Sequence, residues 1–361
     1  MIKNIISGMK HFLLILVVCL SMAACVKETP MPADVVSSSV YSIDDRIDLI
    51  ISHDGAPDDI TATAYLAKHP EINIIGVVNS YGEQHPSKSM DEWQRFLYEV
   101  IDKDDVAFGL GSENSVDPQQ NAFPSAWRDS ADEFWYVELP PASGEFDVVN
   151  GAELIVDLVK NAPNKVSIII LGGNTDVALA LQKDPTMVDK VEKVVIMGGA
   201  FERDGNLYEA AGYGNNRDAE WNIFVDPLAA SQVFTSGLPI MVVPLDGSDD
   251  FYLRQTDIDR ISDSDDPILT VLTDLWDRQL KMWGGEAFKI WDLVAAVALT
   301  NPELMDWTKD GIDVVTEFGD SHGKTYRLHN GSTLTMYASN TDFDRVYEIV
   351  FDVLLSSSSV E

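Results

Sequence analysis

Short continuous runs of aliphatic residues alternate with amphipathic stretches along most of this chain. An apolar run of about four to eight residues is typical of a strand buried on both faces of a sheet, and apolar residues three and four positions apart are typical of a helix. The runs predict strands at residues 47–52, 72–78, 106–110, 166–171, 191–197 and 240–245. The amphipathic stretches predict helices at residues 60–68, 87–101, 152–161, 175–183 and 227–236. Their alternation predicts an α/β fold, with a mostly parallel, Rossmann-like open sheet and helices on both faces.

Two parts of the chain depart from this alternation. Residues 114–149 are rich in proline, tryptophan and acidic residues, and they predict a long insertion between strands. After Gly247 the pattern is mostly helical, with a short β-rich part before the last helix. The predicted elements there are helices at 268–282, 290–300 and 342–355 and strands at 312–317 and 334–337. No internal repeat and no later linker divides the chain, so we expect one domain over residues 46–356.

The N-terminal residues have the pattern of a targeting segment. A basic start precedes an apolar run at residues 12–20, which is too short to span a bilayer comfortably. Small residues then precede Cys25, and this resembles a bacterial lipoprotein signal in which residues 1–24 are removed and Cys25 carries the lipid. The alternatives are an ordinary secretory signal cleaved after Ala24, or a short anchor. Proline and serine in residues 25–45 predict a flexible tether.

The residue after Cys25 bears on localisation. It is Val26 and not aspartate, which in a Gram-negative cell implies sorting to the outer membrane. We therefore expect a cell-envelope lipoprotein, at the outer membrane or in the periplasm of a Gram-negative bacterium, that touches the membrane only through its lipid anchor.

Charge and cysteine content exclude several functions. The 361 residues include 25 Lys and Arg against 59 Asp and Glu, a formal net charge of −34. Such a chain repels the phosphate backbone, which argues against nucleic acid as a partner. The two cysteines are Cys19 and Cys25, so the expected mature chain has no thiol for a disulfide, a metal site or a nucleophile.

Three carboxylates, Asp54, Asp58 and Asp59, follow the first predicted strand. In an open α/β sheet, the turns at the carboxyl ends of the strands face the ligand crevice. Acids this close together repel one another unless they bind a hard cation or one of them stays protonated. The alternative is a polar turn in which Asp58 or Asp59 caps the next helix.

Other predicted strands also end in small and polar residues, namely the segments at 172–176 and 198–201, and Asp246. A further polar stretch at 214–222 precedes Val225-Asp226-Pro227. Glycines permit close backbone approach, and the Asn, Asp and Glu side chains can bind hydroxyl groups. No Walker-type phosphate loop and no basic cluster is present. The pattern favours a small polyhydroxylated ligand over a phosphate.

Over about residues 46 to 350 the chain resembles the inosine–uridine-preferring nucleoside hydrolase family. Five family motifs occur in order and carry the resemblance: Ser52-His53-Asp54-Gly55-Ala56-Pro57-Asp58-Asp59, Leu171-Gly172-Gly173-Asn174-Thr175-Asp176, Met197-Gly198-Gly199-Ala200, Gly214-Asn215 with Ala219-Glu220-Trp221-Asn222 and Asp226-Pro227, and Trp291-Asp292 with Asn301-Pro302-Glu303-Leu304. The resemblance implies the nucleoside hydrolase fold, hydrolysis of the N-ribosyl bond of a nucleoside, and a homodimer or homotetramer.

The resemblance also implies a calcium ion. Its ligands would be Asp54, Asp59, the backbone carbonyl of Thr175, and Asp292, an all-oxygen set of the kind that Ca²⁺ prefers. Asp54 would also be the general base for a water activated by the ion, which attacks the anomeric carbon of the ribosyl group.

A further set of residues would contact the substrate. Asp58 would accept a hydrogen bond from a sugar hydroxyl, and the full implied set is Asp58, Glu83, Met197, Asn215, Glu220, Asn222 and Trp291. Met197 is alternatively a core residue, and Glu220 one more surface acid. Asn216 is an alternative to Asn215, because the spacing to Glu220 does not decide between them.

The chain departs from the family pattern at three positions. Ser52 stands in place of the first aspartate of the acidic motif, Glu83 in place of a sugar-contacting asparagine, and Trp291 in place of a histidine that protonates the leaving base in some members. An indole N–H is not acidic enough for that task.

Two routes for the leaving base follow. A purine could stack on a tryptophan and take its proton from solvent, the candidates being Trp291, Trp221 and Trp283. Alternatively a histidine supplies the proton, the candidates being His53, His85 and His322. Of these, His53 lies inside the acidic turn, where nearby carboxylates are expected to raise its pKa.

Two other functions compete with nucleoside hydrolysis. A non-catalytic lipoprotein that binds a nucleoside or sugar on the same fold would explain the three departures. An aspartyl-phosphate phosphatase is disfavoured, because it needs Asp-x-Asp where this chain has Ser52-His53-Asp54.

Overall fold

A nine-stranded sheet forms the central layer of the protein. The computed structural model describes residues 46–144, 149–210, 212–329 and 335–356. The signal segment, the lipidation site at Cys25 and the tether all lie outside the described residues.

The described residues form strands and helices with the following bounds. The strands are β1 (Ile47–His53), β2 (Ile72–Asn79), β3 (Ala107–Leu110), β4 (Val149–Asn150), β5 (Val166–Ile170), β6 (Val191–Met197), β7 (Ile240–Val243), β8 (Tyr252–Leu253), β9 (Phe288–Lys289), β10 (Met305–Asp310), β11 (Ile312–Val314), β12 (Thr325–Arg327) and β13 (Thr335–Thr341). The α-helices are α1 (Pro57–Lys68), α2 (Pro86–Arg95), α3 (Ser125–Ala131), α4 (Gly151–Asn161), α5 (Thr175–Lys183), α6 (Trp221–Phe224), α7 (Pro227–Thr235), α8 (Leu245–Ser248), α9 (Gln255–Ile261), α10 (Pro267–Met282), α11 (Trp291–Thr300) and α12 (Phe343–Leu354).

The strand order of the large sheet is β10-β13-β7-β6-β5-β1-β2-β3-β4. All neighbouring pairs are parallel except β10 with β13. The predicted α/β fold with a mostly parallel sheet is therefore confirmed. The chain runs from β1 outward through β2, β3 and β4 and then returns to β5 on the other side of β1. This reversal between β1 and β5 is the place where an open sheet of this kind binds its ligand.

Helices cover both faces of the sheet, because alternate side chains of each strand point to opposite sides. Leu49 and Ile51 of β1 belong to the core shared with α1, α10, α11 and α12. Ile50 belongs to the core shared with α4, α5 and α7. Helix α11 is apolar on all sides and buried from Asp292 to Leu299, which agrees with its place against the sheet.

Several elements differ from the predicted ones. The helix predicted at 87–101 is α2 followed by a π-helical turn, Phe96–Val100, in which the Ile101 N–H donates to the Phe96 carbonyl at 3.0 Å. In its described residues the insertion contains α3 and a 3-10 turn, Phe134–Tyr136. Of the strands in the pairs β8–β9 and β11–β12, only β11 was predicted. The others are runs of two or three residues, which are too short to show a period.

Among the helices in the described part of the chain, none combines the length and the apolar character that crossing a bilayer requires.

Candidate active site

The acidic turn lies between β1 and α1, at the carboxyl edge of the sheet. Pro57 begins the helix, where its fixed φ and missing N–H are tolerated. Gly55 has a φ of +85°, a left-handed conformation that glycine adopts readily. The Ala56 N–H donates to Asp59 Oδ2 at 2.7 Å, so Asp59 also satisfies the start of its own helix.

A fourth carboxylate reaches this turn from a distant part of the chain. Asp292 is the second residue of α11, and its backbone N–H donates to Asp58 Oδ2 at 3.4 Å. The N-termini of α1 and α11 thus meet at the acids, where their partial positive charge stabilises carboxylates. Gly82 closes the site against Asp54, since a Cβ atom at Gly82 would lie 2.0 Å from Asp54 Oδ2.

Burial dominates the electrostatics of these four acids. It raises the pKa of Asp54 to about 7 and that of Asp58 to about 6, with backbone N–H donors partly offsetting the effect. It also raises the pKa of Asp59 and of Asp292 well above the usual range, and the charges of neighbouring carboxylates raise both further. The cluster therefore favours a bound positive charge or bound protons.

The oxygen atoms of the cluster fit a hard cation. Within the described residues, no three His, Cys, Asp or Glu side chains already stand at the spacing of a metal-ligand set. Asp59 instead lies close to Asp54 and Asp292, near enough for the carboxylate charges to act on one another. Asp54 Oδ2, Asp59 Oδ1 and Asp292 Oδ1 are nevertheless buried with no hydrogen-bond partner among the described residues. Several buried carboxylates with unpartnered oxygens are the donors that a divalent cation such as Ca²⁺ needs.

Thr175, the remaining implied ligand, is the first residue of α5 and is fully buried. Its hydroxyl donates to Asp226 Oδ2 at 2.6 Å. The same carboxylate accepts the backbone N–H groups of Val116, Asp117 and Ala229, so Asp226 joins α5, the insertion and α7. Thr175 does not line the pocket described next, and metal binding by its carbonyl stays a prediction.

A pocket of about 820 Å³, counting its open mouth, adjoins the acids. Its acidic lining residues are Asp54, Asp58, Glu83, Glu220 and Asp292. Its aromatic lining residues are Phe123, Trp127, Trp135, Trp221, Trp283, Phe288 and Trp291. Lys289 is the one basic residue of this lining. An acidic group of residues beside an aromatic wall suits a ligand with a polar sugar and a flat ring.

Most of the implied substrate residues meet at this pocket. Lining residues from the implied set are Asp54, Asp58, Glu83, Met197, Glu220, Asn222, Trp291 and Asp292. Glu220 accepts the N–H groups of Gly199, Asn222 and Ile223, and burial raises its pKa to about 7. The Asn222 amide donates to the carbonyls of Leu171 and Met197. The Asn222 side chain therefore also joins the ends of β5 and β6, and Glu220 holds the turn that follows β6. Asp59 is buried outside this lining.

Asn215 is not brought to the pocket, and its predicted role is corrected here. It is exposed, and its neighbour Asn216 is buried but donates to the His322 carbonyl at 2.8 Å. The asparagine that does line the pocket is Asn206, whose side-chain oxygen accepts the backbone N–H of Trp221. Asn206 follows Gly205, so a second Gly-Asn pair was visible in the sequence. The intervening residues 207–218 hid its spacing to Glu220.

None of the three candidate histidines lines the pocket. The His53 ring packs on Trp93 with 3.7 Å between centroids, and burial lowers its pKa well below the usual value. The expectation of a raised pKa was wrong, because His53 points away from the acids that flank it in sequence. His85 pairs with Asp132 at 2.8 Å. His322 is buried near Phe224.

The aromatic wall is built from distant segments. The Trp291 indole N–H donates to Asp249 Oδ1 at 3.0 Å. Trp221 stacks on Phe123, with 4.7 Å between ring centroids and 20° between planes. The insertion thus supplies Phe123, Trp127 and Trp135, none of which was predicted as a site residue, and its richness in aromatic residues was the available signal.

Trp135 also touches the acidic turn. It lies in the left-handed turn Phe134–Tyr136, where all three residues have positive φ. Its indole N–H donates to the Gly55 carbonyl at 2.9 Å, in a buried hydrogen bond. The same ring therefore lines the pocket and supports the turn that carries Asp54.

Comparison with known proteins agrees with this geometry. Residues 49–348 match the model of the inosine-uridine preferring nucleoside hydrolase family. A pyrimidine-specific ribonucleoside hydrolase of Shewanella sp. (strain MR-7) is 29% identical over 268 residues, which are 72% of this chain and 79% of the relative. Uridine nucleosidase 1 of Arabidopsis thaliana is 30% identical over 275 residues, 74% of this chain and 78% of the relative.

Solved structures share the fold. A purine-preferring ribonucleoside hydrolase from Gardnerella vaginalis superposes with a TM-score of 0.74 at 23% identity, over 85% of this chain and 98% of that chain. An inosine-guanosine nucleoside hydrolase superposes with a TM-score of 0.75 at 19% identity, over 87% of this chain and 100% of that chain. At these identities the likeness establishes the fold alone, and the activity follows from the family match. The chain belongs to the inosine-uridine preferring nucleoside hydrolase family and is an N-glycosyl hydrolase that acts on a small-molecule nucleoside.

Proposed function

We propose that this protein cleaves the N-ribosyl bond with Asp54 as general base and with a calcium ion held by Asp54, Asp59, Asp292 and the Thr175 carbonyl. The observation that carries the proposal is the group of buried carboxylates with unpartnered oxygens at the edge of an aromatic pocket. A bound calcium ion would supply positive charge that orients sugar hydroxyls and acidifies a water.

Asp54 is suited to take a proton from the attacking water. Its side chain lines the pocket, the residue is 1% exposed, and its Oδ2 atom has no hydrogen-bond partner among the described residues. Burial without the ion raises its pKa to about 7, and a bound cation acts in the opposite direction. A base with a pKa near or below neutral pH is ionised when the water arrives and can still hold its proton during the step.

The remaining acids act on the sugar. Positive charge develops on the ribosyl ring as the C1′–N bond breaks, and the carboxylates of Asp58, Glu220 and Asp292, which line the pocket, would stabilise that charge. Asp58 accepts a hydrogen bond from a sugar hydroxyl in this proposal. Glu83, Met197 and Asn222 complete the sugar side, and Asn206 takes the place first assigned to Asn215.

The leaving base lies against the aromatic wall. Tryptophans attract the flat π-face of every nucleobase, so stacking by itself binds purines and pyrimidines alike. The relatives are named for both kinds of base. Two are called pyrimidine-specific and uridine enzymes, and two others are called purine-preferring and inosine-guanosine enzymes. We propose stacking on Trp291, aided by Trp221 and Trp283, as the mode of base binding.

One experiment separates the enzyme from the binding-protein alternative. The full chain in detergent is incubated with calcium and a panel of purine and pyrimidine nucleosides, and free base is measured by chromatography. Release of base that disappears in Asp54→Asn is the expected result. Saturable nucleoside binding with no base released over a long incubation would instead establish the non-catalytic alternative.

We also propose that the protein is a lipoprotein anchored through Cys25 in the outer membrane. The support is the residue pattern of positions 1–26 alone. Labelled palmitate should enter the wild-type protein but not Cys25→Ser, and cell fractionation should recover the label in the outer membrane. Light scattering of the purified protein tests the expected homodimer or homotetramer.

A further inference from the structure

The hydrolysis of a nucleoside leaves a basic nitrogen on the departing base, and no histidine of the three candidates lines the pocket. We propose that Lys289 is the general acid that protonates the departing base. The proposal rests on the proposed function, because it concerns the second proton transfer of that same reaction.

Lys289 is held at the pocket by the short two-stranded antiparallel sheet of β8 and β9. It is the second residue of β9 and pairs with Tyr252 of β8. Its side chain is 23% exposed and lines the pocket together with Asp54 and Trp291. A lysine in this position reaches the ligand on one side and solvent on the other.

A shared carboxylate sets the place of the ammonium group. Lys289 Nζ lies 2.6 Å from Asp249 Oδ1, and the Trp291 indole N–H donates to the same oxygen at 3.0 Å. The ammonium therefore sits beside the indole and 5.7 Å from the ring centroid. A base stacked on Trp291 would bring its edge to this nitrogen. Arg203 binds the other oxygen of Asp249 at 2.9 Å, so the carboxylate is shared between two cations.

The chemistry of an ammonium group fits the need. A lysine of ordinary pKa, about 10.4, is protonated at neutral pH. The anion of an oxopurine or of uracil is a base of similar strength, so proton transfer to it is nearly balanced, which favours general acid catalysis. The cation also attracts the negative charge that develops on the base before the proton moves.

The step balances without another reactant. The water oxygen bonds to C1′ and gives its proton to Asp54. The C1′–N bond breaks, its electron pair stays on the base nitrogen, and Lys289 gives that nitrogen a proton. After the products leave, the proton on Asp54 passes to solvent and Lys289 regains one from solvent. No atom is oxidised or reduced.

The test varies the leaving group. The full chain with calcium is assayed on inosine, on uridine and on 4-nitrophenyl β-ribofuranoside, whose nitrophenolate leaves without needing a proton. Lys289→Met should lower kcat on the nucleosides by about 100-fold or more and leave the nitrophenyl substrate within about threefold of wild type. Lys289→Arg keeps the charge and the contact with Asp249 but holds its proton too tightly, so it should not restore nucleoside cleavage.

Arg203→Met is the matched control, because it removes the other cation of Asp249 outside the pocket lining. It should leave all three rates near wild type. Equal loss on all three substrates in Lys289→Met, or full rescue by Lys289→Arg, would overturn the proposal and leave Lys289 as a support for Asp249 and Trp291. Wild-type protein that releases no base from nucleosides refutes the proposed function itself. Wild-type and Lys289→Met proteins that release base equally fast refute only the role of Lys289.

Discussion

Asp226 offers the sharpest test of how the site is held. Its buried carboxylate accepts four hydrogen bonds, from the Thr175 hydroxyl and the Val116 N–H on Oδ2 and from the Asp117 and Ala229 N–H groups on Oδ1. Asp226→Ala removes every acceptor at once. The Thr175 hydroxyl can turn to another partner, but the three backbone N–H groups cannot.

The expected cost follows from those three donors. A buried unsatisfied donor costs about 1–3 kcal/mol, and water that enters the space of the lost side chain recovers part of it. We therefore expect Asp226→Ala to lower the free energy of unfolding by about 4 kcal/mol. Asp226→Asn keeps one oxygen for two donors and turns its NH₂ group toward Thr175, whose hydroxyl can accept. The Val116 N–H then faces the NH₂ group and has no acceptor, so a loss of about 2 kcal/mol is expected.

Urea unfolding followed by tryptophan fluorescence measures both variants. Asp342→Ala is the control, because Asp342 is exposed and accepts the Arg345 N–H at the start of α12. An ordinary N-cap of this kind is worth about 1 kcal/mol. If Asp226→Ala is no more destabilising than Asp342→Ala, the four hydrogen bonds to Asp226 do not stabilise the protein as inferred. Calcium titration adds a second readout, since loosening Thr175 should weaken calcium binding in Asp226→Asn.

Three further predictions concern the acidic turn. Gly82→Ala places a Cβ atom against Asp54 Oδ2, so base release should fall by about 100-fold, and a rate near wild type would contradict the close approach. Trp135→Phe removes the donor to the Gly55 carbonyl and should lower the free energy of unfolding by about 2 kcal/mol. Trp127→Phe, at a half-buried ring of the same wall, is the control and should lower it by less. Equal losses would argue against the hydrogen bond. Removing calcium with a chelator should lower the melting temperature, because an ion present at 100 times its Kd contributes about 2.7 kcal/mol, and a melting curve unchanged by chelator and by added calcium would speak against the ion.

Much of the fold was predictable because its signals are local. Continuous apolar runs such as those of β5 and β6 identify strands buried on both faces, and their alternation with helices leaves little choice but a parallel sheet. The bounds of α5 and β6 agree with the predicted ones. The acidic turn was also predictable, since Asp54, Asp58 and Asp59 follow one strand directly and topology assigns that edge to the ligand.

Some of the site could not be predicted from neighbours in sequence. A strand reverses the direction of side chains at each residue, so His53 faces the opposite side from the acids beside it, and only the packed sheet shows that Trp93 covers it. Asn206 rather than Asn215 reaches the pocket: it accepts the backbone N–H of Trp221, whereas Asn215 is exposed, and neither fact can be read from their spacing to Glu220.

The sequence by itself determined the α/β fold class with a mostly parallel sheet, the acidic turn and the family motifs, because periodicity and short motifs are properties of adjacent residues. Tertiary structure alone decided what stands opposite the acids. The insertion brings Trp135 to Gly55, and Asp249 holds Lys289 beside Trp291, through contacts between segments 40 to 80 residues apart. Such contacts depend on how packed layers meet in space, and no spacing along the chain encodes them.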